Sequence, residues 1–271
     1  MAQEGFIPCR GAKIFYEMAG SGETIVFVHG FPLDSRMWEP QMAVLSSQYR
    51  VLRFDMRGMG QSANPGGSYT LYEDLHDLLK QLNIPRASLV GASFGSYASI
   101  EFALAYPELV DRLILLCPGG FVPPSDEWQQ KLQNMREQLQ KGNLEEALDI
   151  TLHITLDGFH QQSRRVQSRR QWLSDIYRDI YTRPTVTGMP TWLELDPRSR
   201  LSEISAPTLI VSGELDHADF LLTAESLVNQ ISDVQQIFLK NSAHFPNIDS
   251  PQEVNALIHS FLSGSLGAPK K

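Results

Sequence analysis

The amino-acid sequence predicts an α/β protein built on a doubly wound, mostly parallel sheet. Short β-branched runs alternate along the chain with longer stretches that carry apolar residues at helical spacing. Most of the short runs are almost continuously apolar, which is typical of parallel strands that helices cover on both faces. One long polar segment interrupts this alternation and predicts a helical insertion.

The predicted elements follow one another in a regular order. After a leading hairpin formed by residues 6–9 and 13–18, the predicted strands are 25–29, 49–55, 87–91, 112–117, 207–212 and 234–239. The predicted helices are 36–47, 69–83, 94–106, 218–231 and 251–262.

The interruption covers residues 121–192, which carry polar helical sequence and no convincing strand pattern. It is too long to be a plain loop and too central in the sequence to be a tail. We therefore expect a helical cap inserted after the sixth strand. Residues 1–120 and 193–271 would form the core, and residues 121–192 the cap.

The bulk properties narrow the classes of partner. A net charge of −8 over 271 residues argues against a nucleic-acid partner and against tight binding to anionic lipid. The N-terminal residues lack the pattern of a signal peptide, and no stretch approaches the roughly 20 apolar residues of a membrane span. Cys9 and Cys117 indicate reduced, buried thiols rather than a disulfide framework. We expect a cytoplasmic protein that acts on a small molecule, in an oligomeric state that the sequence leaves open.

The strongest chemical signal is the sequence GASFG at residues 91–95, which follows a predicted strand and opens a predicted helix. A sharp turn between a strand and a helix requires small residues on both sides of the central serine. Such a turn presents the Ser93 hydroxyl at the sheet edge, beside the positive end of the following helix. Ser93 is therefore the candidate nucleophile.

A serine hydroxyl is a weak nucleophile at neutral pH, so a base has to accept its proton. The seven histidines are His29, His76, His153, His160, His217, His244 and His259. His244 lies in a turn between the last predicted strand and the last predicted helix, at the sheet edge where Ser93 is expected. His29 is interpreted as structural, whereas His153 and His160 belong to the insertion and could contact substrate. His244 is the candidate general base.

The acid that orients the histidine is expected after the strand at 207–212. Asp216 is the preferred candidate, Asp219 is its rival, and Glu214 follows the strand too closely to curl back easily. A carboxylate there would fix the imidazole tautomer and stabilise the imidazolium that forms during attack. The resulting chain order of serine, aspartate and histidine is the one expected of this arrangement.

The charge that develops on the substrate oxygen requires hydrogen-bond donors already in place. One is expected to be the backbone N–H of Phe94, directly after Ser93. The other is expected from the loop HGFP at residues 29–32, where Phe31 is the best candidate.

Aromatic and basic residues in the insertion have two interpretations. Trp128, Phe159, Trp172 and Trp192 could line an acyl pocket together with Phe245, or they could be core residues. The arginines of the insertion could hold a substrate carboxylate, but a solvated helix face balanced by Asp175 and Asp179 is the favoured interpretation.

Five motifs in order resemble the α/β-hydrolase superfamily, in particular its small capped esterase, lactonase and C–C hydrolase branch. They are HGFPLDSRMW (29–38), DMRGMGQS (55–62), GASFG (91–95), PTLIVSGELD (207–216) and NSAHFPNIDSPQEV (241–254). The resemblance implies the α/β-hydrolase fold and a cap over the active site. It also supports Phe31 and Phe94 as oxyanion donors, and it makes the turn at Asp55 structural.

These residues predict a serine hydrolase that cleaves a carboxylic ester or lactone through an acyl-enzyme, with no metal and no organic cofactor. The alternatives are a C–C bond hydrolase of ring-cleavage products, a cofactor-free perhydrolase or acyltransferase, and a ligand-sensing homologue. Ser93 argues against the dehalogenases and epoxide hydrolases of the superfamily, which carry an aspartate at that position. C–C hydrolases often carry tryptophan directly after the histidine, where Phe245 stands here.

Overall fold

A computed structural model of the chain describes residues 3–63, 66–183, 190–194 and 196–266. Its strands are β1 Gln3–Cys9, β2 Ala12–Ala19, β3 Thr24–Val28, β4 Arg50–Phe54, β5 Ala87–Ala92, β6 Val110–Leu116, β7 Thr208–Gly213 and β8 Val234–Leu239. They form one eight-stranded sheet in the order β1-β2-β4-β3-β5-β6-β7-β8. β2 pairs antiparallel with β1 and β4, and all other neighbours are parallel. The predicted mostly parallel sheet is confirmed.

Helices cover both faces of this sheet. They are α1 Glu39–Leu45, α2 Leu71–Gln81, α3 Phe94–Ala105, α4 Asp126–Gln140, α5 Leu144–Leu152, α6 Arg170–Thr182, α7 Ala218–Val228, α8 Pro246–Asp249 and α9 Pro251–Leu262. The side chains of β3 alternate between the two cores, with Val26 and Val28 in one and Ile25 and Phe27 in the other. Every residue of β3 is buried, which explains why its sequence is continuously apolar.

The predicted elements differ from the observed ones mainly at their ends, with one exception. The predicted helix 36–47 is a 3₁₀ turn, Ser35–Trp38, followed by the separate helix α1. Pro40 explains the break, because a proline ring inside a continuous helix clashes with the carbonyl four residues earlier. In α1 the proline lies in the first turn, where its missing N–H costs nothing.

Between β6 and β7 the chain forms α4, α5, a π-helical turn at His153–Asp157 and α6. Buried residues of α5 and α6, among them Leu148 and Tyr177, belong to the same apolar cluster as Ile25 of β3 and Trp38 of the 3₁₀ turn. In contrast, α4 has no buried residue. Residues 184–189, which fall within the predicted cap, lie outside the described residues.

A buried ion pair fixes the turn after β4. The Arg57 guanidinium donates to both oxygens of Asp74 at 2.8 and 2.6 Å and to the Cys9 carbonyl at 2.8 Å. Both side chains are almost fully buried, at 2% and 3% exposure. The pair joins the 56–62 turn, α2 and the end of β1.

Arg57→Met is expected to lower the free energy of unfolding by about 3–5 kcal/mol, because it leaves the Asp74 carboxylate buried without its partner. Urea unfolding measures the loss. Arg198→Met is the matched control, since it removes an arginine from an ion pair with Asp196 that is half exposed. The control should change stability by less than about 1 kcal/mol. Equal losses in the two variants would contradict the role given to Arg57.

A second buried acid joins α3 to the segment at residues 190–194. Glu101 is fully buried, and its Oε1 accepts a hydrogen bond of 2.8 Å from the Leu193 N–H. Its Oε2 has no hydrogen-bond partner among the residues that the structure describes. Burial raises the pKa of the Glu101 carboxyl to about 7.

This pKa makes stability depend on pH. The folded protein binds the Glu101 proton more tightly than the unfolded chain does, so stability is lost as the pH rises from about 4.5 through about 7. Glu101→Gln keeps the acceptor for Leu193 and removes the ionisation. The variant should therefore be more stable than the wild type above pH 7, by up to about 3 kcal/mol. Unfolding curves between pH 4 and 8 measure this difference in stability, and Glu225→Gln, at an exposed position, is the control. Parallel pH profiles of stability for the wild type and Glu101→Gln would refute the prediction.

Candidate active site

Ser93 occupies a strained turn at the end of β5. Its backbone has φ 52° and ψ −114°, in the region of positive φ that side-chain-bearing residues rarely adopt. Its N–H donates to the Leu116 carbonyl at 2.9 Å, which fixes the turn to the end of β6. A Cβ at position 91 would lie 2.5 Å from the Gly95 carbonyl oxygen, and one at position 95 would lie 2.1 Å from the Val28 oxygen. Both flanking glycines are therefore required by close backbone contact.

Three side chains form a hydrogen-bonded chain at the carboxyl ends of the strands. Ser93 Oγ lies 2.8 Å from His244 Nε2, and His244 Nδ1 lies 2.9 Å from Asp216 Oδ2. All three are at least nine-tenths buried. Because a carboxylate only accepts hydrogen bonds, Asp216 places the imidazole proton on Nδ1 and leaves the Nε2 lone pair facing the serine hydroxyl.

The other acids considered for this position lie elsewhere. The Asp219 carboxylate accepts hydrogen bonds from the Ser125 N–H at 2.8 Å and the Ser125 hydroxyl at 3.0 Å. Glu214 is exposed at the start of the same loop. The second oxygen of Asp216 accepts from the His217 N–H at 2.8 Å, which holds the carboxylate in orientation.

Asp249 fixes the loop that carries His244, a role that the sequence did not reveal. Its carboxylate accepts from the Ala243 N–H at 2.7 Å and from the Ser242 hydroxyl. Burial raises the pKa of Asp249 to about 6. The only sequence signal was an acid closely following the histidine, in the motif at 241–254.

Cys117 lies beside the Asp216–His244 pair. Its sulfur accepts from the Gly213 N–H at 3.4 Å and contacts the Ala243 carbonyl at 3.5 Å. Burial, reinforced by the charge of Asp216, raises the pKa of the Cys117 thiol well above its ordinary value. The thiol therefore stays protonated and packs as a small apolar group.

The two expected oxyanion donors are backbone amides next to Ser93 and in the loop after β3. Phe94 begins α3, so its N–H has no partner within the helix. Neither this amide nor that of Phe31 donates to an acceptor in the part of the chain that the structure describes. The Phe31 side chain is 59% exposed, and its ring lies 6.3 Å from the ring of Phe94.

Hydrogen bonds through His29 hold the Phe31 loop to the 55–62 turn. His29 is fully buried, and burial lowers its pKa, so the neutral ring can accept a hydrogen bond of 2.9 Å from the Met56 N–H. Asp55 accepts from the N–H groups of Ser35 and Gln61 at 2.8 and 2.7 Å. These contacts give His29 and Asp55 structural positions beneath the site.

Aromatic rings flank the hydrogen-bonded chain of Ser93, His244 and Asp216 on one side. Phe220 and Trp128 have ring centroids 4.1 and 6.3 Å from that of His244, and they lie 4.9 Å from each other. Phe159 packs behind Trp128, at 5.8 Å. Phe220 was missed by the sequence analysis, because nothing in the sequence of α7 distinguishes it from a core residue.

Trp192 and Phe245 have different surroundings. Trp192 packs against Phe94 at 5.8 Å and is 43% exposed. Phe245 is fully buried in the core, and a Cβ at position 30 would lie 2.8 Å from its ring. Its contacts therefore support the Phe31 loop from below.

Most of the arginines in the insertion have acidic partners. Arg164 pairs with Asp149, Arg170 with Asp157, Arg178 with Glu145, and Arg183 with Asp179. Arg169 instead lies over the ring of Trp172. The favoured interpretation named Asp175 and Asp179 as the balancing acids, whereas Asp149, Asp157 and Glu145 supply most of the pairing.

Two groups of described residues bring possible metal ligands within 4.8 Å of one another. One is Cys117, Asp216 and His244, within the hydrogen-bonded chain itself. The other is Glu127, His160 and His217, on its aromatic side. Among the described residues, no helix combines the length and apolar character required to cross a bilayer.

Comparison with known proteins identifies the family. The chain is 30% identical over 264 residues to a putative non-heme chloroperoxidase of a Synechocystis species, covering 92% of this chain and 94% of that relative. It is 26% identical over 273 residues to the 2-hydroxy-6-oxo-6-(2'-aminophenyl)hexa-2,4-dienoic acid hydrolase of Metapseudomonas resinovorans, covering 96% and 91%. It is 25% identical over 263 residues to a pimeloyl-acyl-carrier-protein methyl ester esterase of Aliivibrio salmonicida, covering 92% and 96%. Residues 23–251 match the family described as the alpha/beta hydrolase fold, and the chain therefore belongs to the α/β-hydrolase family.

Proposed function

We propose that the protein is a serine hydrolase that cleaves a carboxylic ester or lactone through an acyl-enzyme. The observation that carries this proposal is the unbroken hydrogen-bonded chain from Ser93 through His244 to Asp216. Each distance is short enough for direct proton transfer or for orientation of the imidazole. The esterase among the relatives supports the same reaction class.

Acylation uses the three side chains in turn. Ser93 Oγ attacks the carbonyl carbon while its proton moves to His244 Nε2, and Asp216 stabilises the imidazolium that results. The tetrahedral intermediate collapses as His244 gives this proton to the leaving oxygen. Water then attacks the acyl carbon, His244 accepts the water proton, and Ser93 leaves with that proton restored.

The amides of Phe31 and Phe94 are the proposed oxyanion donors. Both are free of other acceptors in the described residues, and Phe94 also begins α3, whose dipole favours negative charge at that end. Because the donors are fixed by the backbone, they need no reorganisation when charge develops on the carbonyl oxygen.

Residues 121–192 are the proposed cap, and it would decide the substrate. Trp128 of α4 reaches the ring of His244, and the cap is tied to the core by a hydrogen bond of 2.7 Å between Arg36 and Asp179. The rings of Phe220 and Trp128 lie beside His244, and the ring of Phe94 belongs to the residue directly after Ser93. Such a lining favours an apolar acyl group, and the pairing of the cap arginines disfavours recognition of a carboxylate.

Ser93→Ala should abolish hydrolysis of p-nitrophenyl esters and covalent labelling by a fluorophosphonate, because no other group can form the acyl-enzyme. Mass spectrometry of the labelled protein and a spectrophotometric assay measure the two losses. Ser226→Ala on α7 is the control and should keep both. Labelling retained by Ser93→Ala would overturn the assignment of the nucleophile.

Asp216→Asn should lower kcat by about 10⁴-fold, the scale expected when a triad histidine is held in the wrong tautomer. Asp219→Asn should lower kcat far less, since the Asp219 carboxylate holds Ser125 rather than His244. Steady-state kinetics on one ester decide between them. Equal losses, or a larger loss in Asp219→Asn, would contradict the proposed triad.

A second candidate is transfer of the acyl group to hydrogen peroxide, supported by the 30% identity to the putative chloroperoxidase. Hydrogen peroxide would attack the acyl carbon in place of water, and the acyl group would be released from Ser93 as the peracid. The oxidation state of the protein does not change. If this holds, peracid accumulates in proportion to peroxide during ester turnover and disappears in Ser93→Ala. Iodide oxidation measures the peracid, and its absence at high peroxide would exclude this candidate. C–C bond hydrolysis is tested beside it with a ring-cleavage product as substrate.

A further inference from the structure

Three side chains with metal-binding atoms meet where the cap joins the core. Glu127 lies in the first turn of α4, His160 follows the π-helical turn, and His217 directly follows Asp216. Glu127 Oε1 is 3.9 Å from His160 Nδ1, and Glu127 Oε2 is 3.6 Å from His217 Nε2. The proposed acyl transfer uses none of these three groups.

We propose that Glu127, His160 and His217 bind a zinc-class divalent cation. Two imidazoles and a carboxylate, with water in the fourth position, are a donor set that Zn²⁺ takes in proteins. Zinc–ligand bonds of about 2.0–2.1 Å place tetrahedral ligand atoms about 3.4 Å apart. The Glu127 and His160 side chains are 60% and 61% exposed, so they can move the short distance required.

His217 is the fixed ligand, because it is 2% exposed and anchored to the core. Its Nδ1 accepts a hydrogen bond of 3.2 Å from the Asp219 N–H and lies 3.5 Å from Asp219 Oδ2. Zinc at Nε2 would move the ring proton to Nδ1, which would then donate to the Asp219 carboxylate instead of accepting from the Asp219 N–H. A carboxylate behind a metal-bound histidine is a frequent arrangement that orients the ring and increases its basicity.

The surroundings of the cluster favour an ion that arrives from solvent. A groove of about 540 Å³ along α4 is lined in part by Glu127 and His160. The carboxylates of Asp216 and Asp219, on either side of His217, offset the positive end of α7. Lys131 also lines the groove, and its positive charge favours a moderate rather than a very high affinity.

A bound ion would join the cap to the core beside the triad. Glu127 and His160 belong to the cap, whereas His217 belongs to the loop that carries Asp216. The Asp219 carboxylate already holds Ser125 at the start of α4 and lies 3.5 Å from His217 Nδ1, so it would orient both the helix and the buried ligand. Binding should therefore raise the melting temperature of the protein by favouring the folded state.

The group of Cys117, Asp216 and His244 is the alternative zinc site. It is fully enclosed, its thiol is held protonated, and the Gly213 N–H already donates to the sulfur. Zinc there would have to displace a proton and break the Asp216–His244 hydrogen bond. At the Glu127 cluster the His217 proton only moves from Nε2 to Nδ1, at the cost of the long hydrogen bond of 3.2 Å from the Asp219 N–H, and the Asp216–His244 hydrogen bond is kept.

Isothermal titration of the untagged, chelator-treated full chain with Zn²⁺ tests the proposal. One ion should bind per chain, and Zn²⁺ should raise the melting temperature. Glu127→Gln and His160→Ala change exposed residues and should preserve folding. Each should weaken zinc binding by about 10–100-fold or more, because loss of even an outer-shell partner has an effect of that size. Asp126→Asn is the matched control, because it removes the same charge from the same helical turn; it should bind as the wild type does, and so should Cys117→Ala.

Three results would overturn the proposal. They are the absence of saturable binding at millimolar zinc, unchanged affinity in both Glu127→Gln and His160→Ala, and loss of binding in Cys117→Ala. The readouts are heat of binding and melting temperature, neither of which requires turnover. Failure of this proposal is therefore distinct from failure of the proposed hydrolase activity.

Discussion

The architecture of the candidate active site depends on the backbone turn at Ser93. A side-chain-bearing residue at φ 52° costs on the order of 1–3 kcal/mol, so the surrounding structure has to enforce it. The close approach of Gly95 to the Val28 carbonyl presses α3 against the end of β3. The same turn brings the serine hydroxyl to His244 and places Phe94 first in α3, where its N–H has no partner within the helix. The proposed nucleophile and one proposed oxyanion donor are thus consequences of one local geometry.

The carboxyl ends of the strands bring the other side chains of the site, Asp216 and His244, to that turn. Parallel pairing aligns the carboxyl ends of β5, β7 and β8, so residues distant in sequence meet above one edge. The loops after β7 and β8 would be mobile without internal contacts. Asp249 supplies them for His244, and the His217 N–H supplies one for Asp216. The geometry of the buried Asp216–His244 pair is therefore fixed by hydrogen bonds from the backbone N–H groups of the two loops.

The sequence predicted the sheet and the positions of Ser93 and His244, because continuous apolar strands and a small-residue turn are local signals. The choice of Asp216 over Asp219 could not be decided in this way. Both acids follow the same strand, and tertiary contacts separate them: Asp216 lies 2.9 Å from His244, whereas Asp219 is held by Ser125 of the distant insertion. Phe220 could not be predicted for a similar reason, because its place in the site depends on packing against His244 and not on the sequence of its helix. Pro40 is a local signal for the helix break, but the helical spacing of apolar residues on both sides of it led to the prediction of one continuous helix.

The helices of the insertion differ in how firmly they are attached. The apolar faces of α5 and α6 are continuous with the core cluster beneath the sheet, whereas α4 has no buried residue. Few buried apolar contacts mean that local opening of α4 requires little free energy. Yet α4 carries Trp128, one of the rings beside His244, and its described side-chain ties to the core include the Asp219–Ser125 hydrogen bonds. If the proposed acyl site lies beside these rings, a shift of α4 would change its size with little disturbance of the core. A ligand that joins Glu127 to His217 would then act on the most adjustable wall of that site.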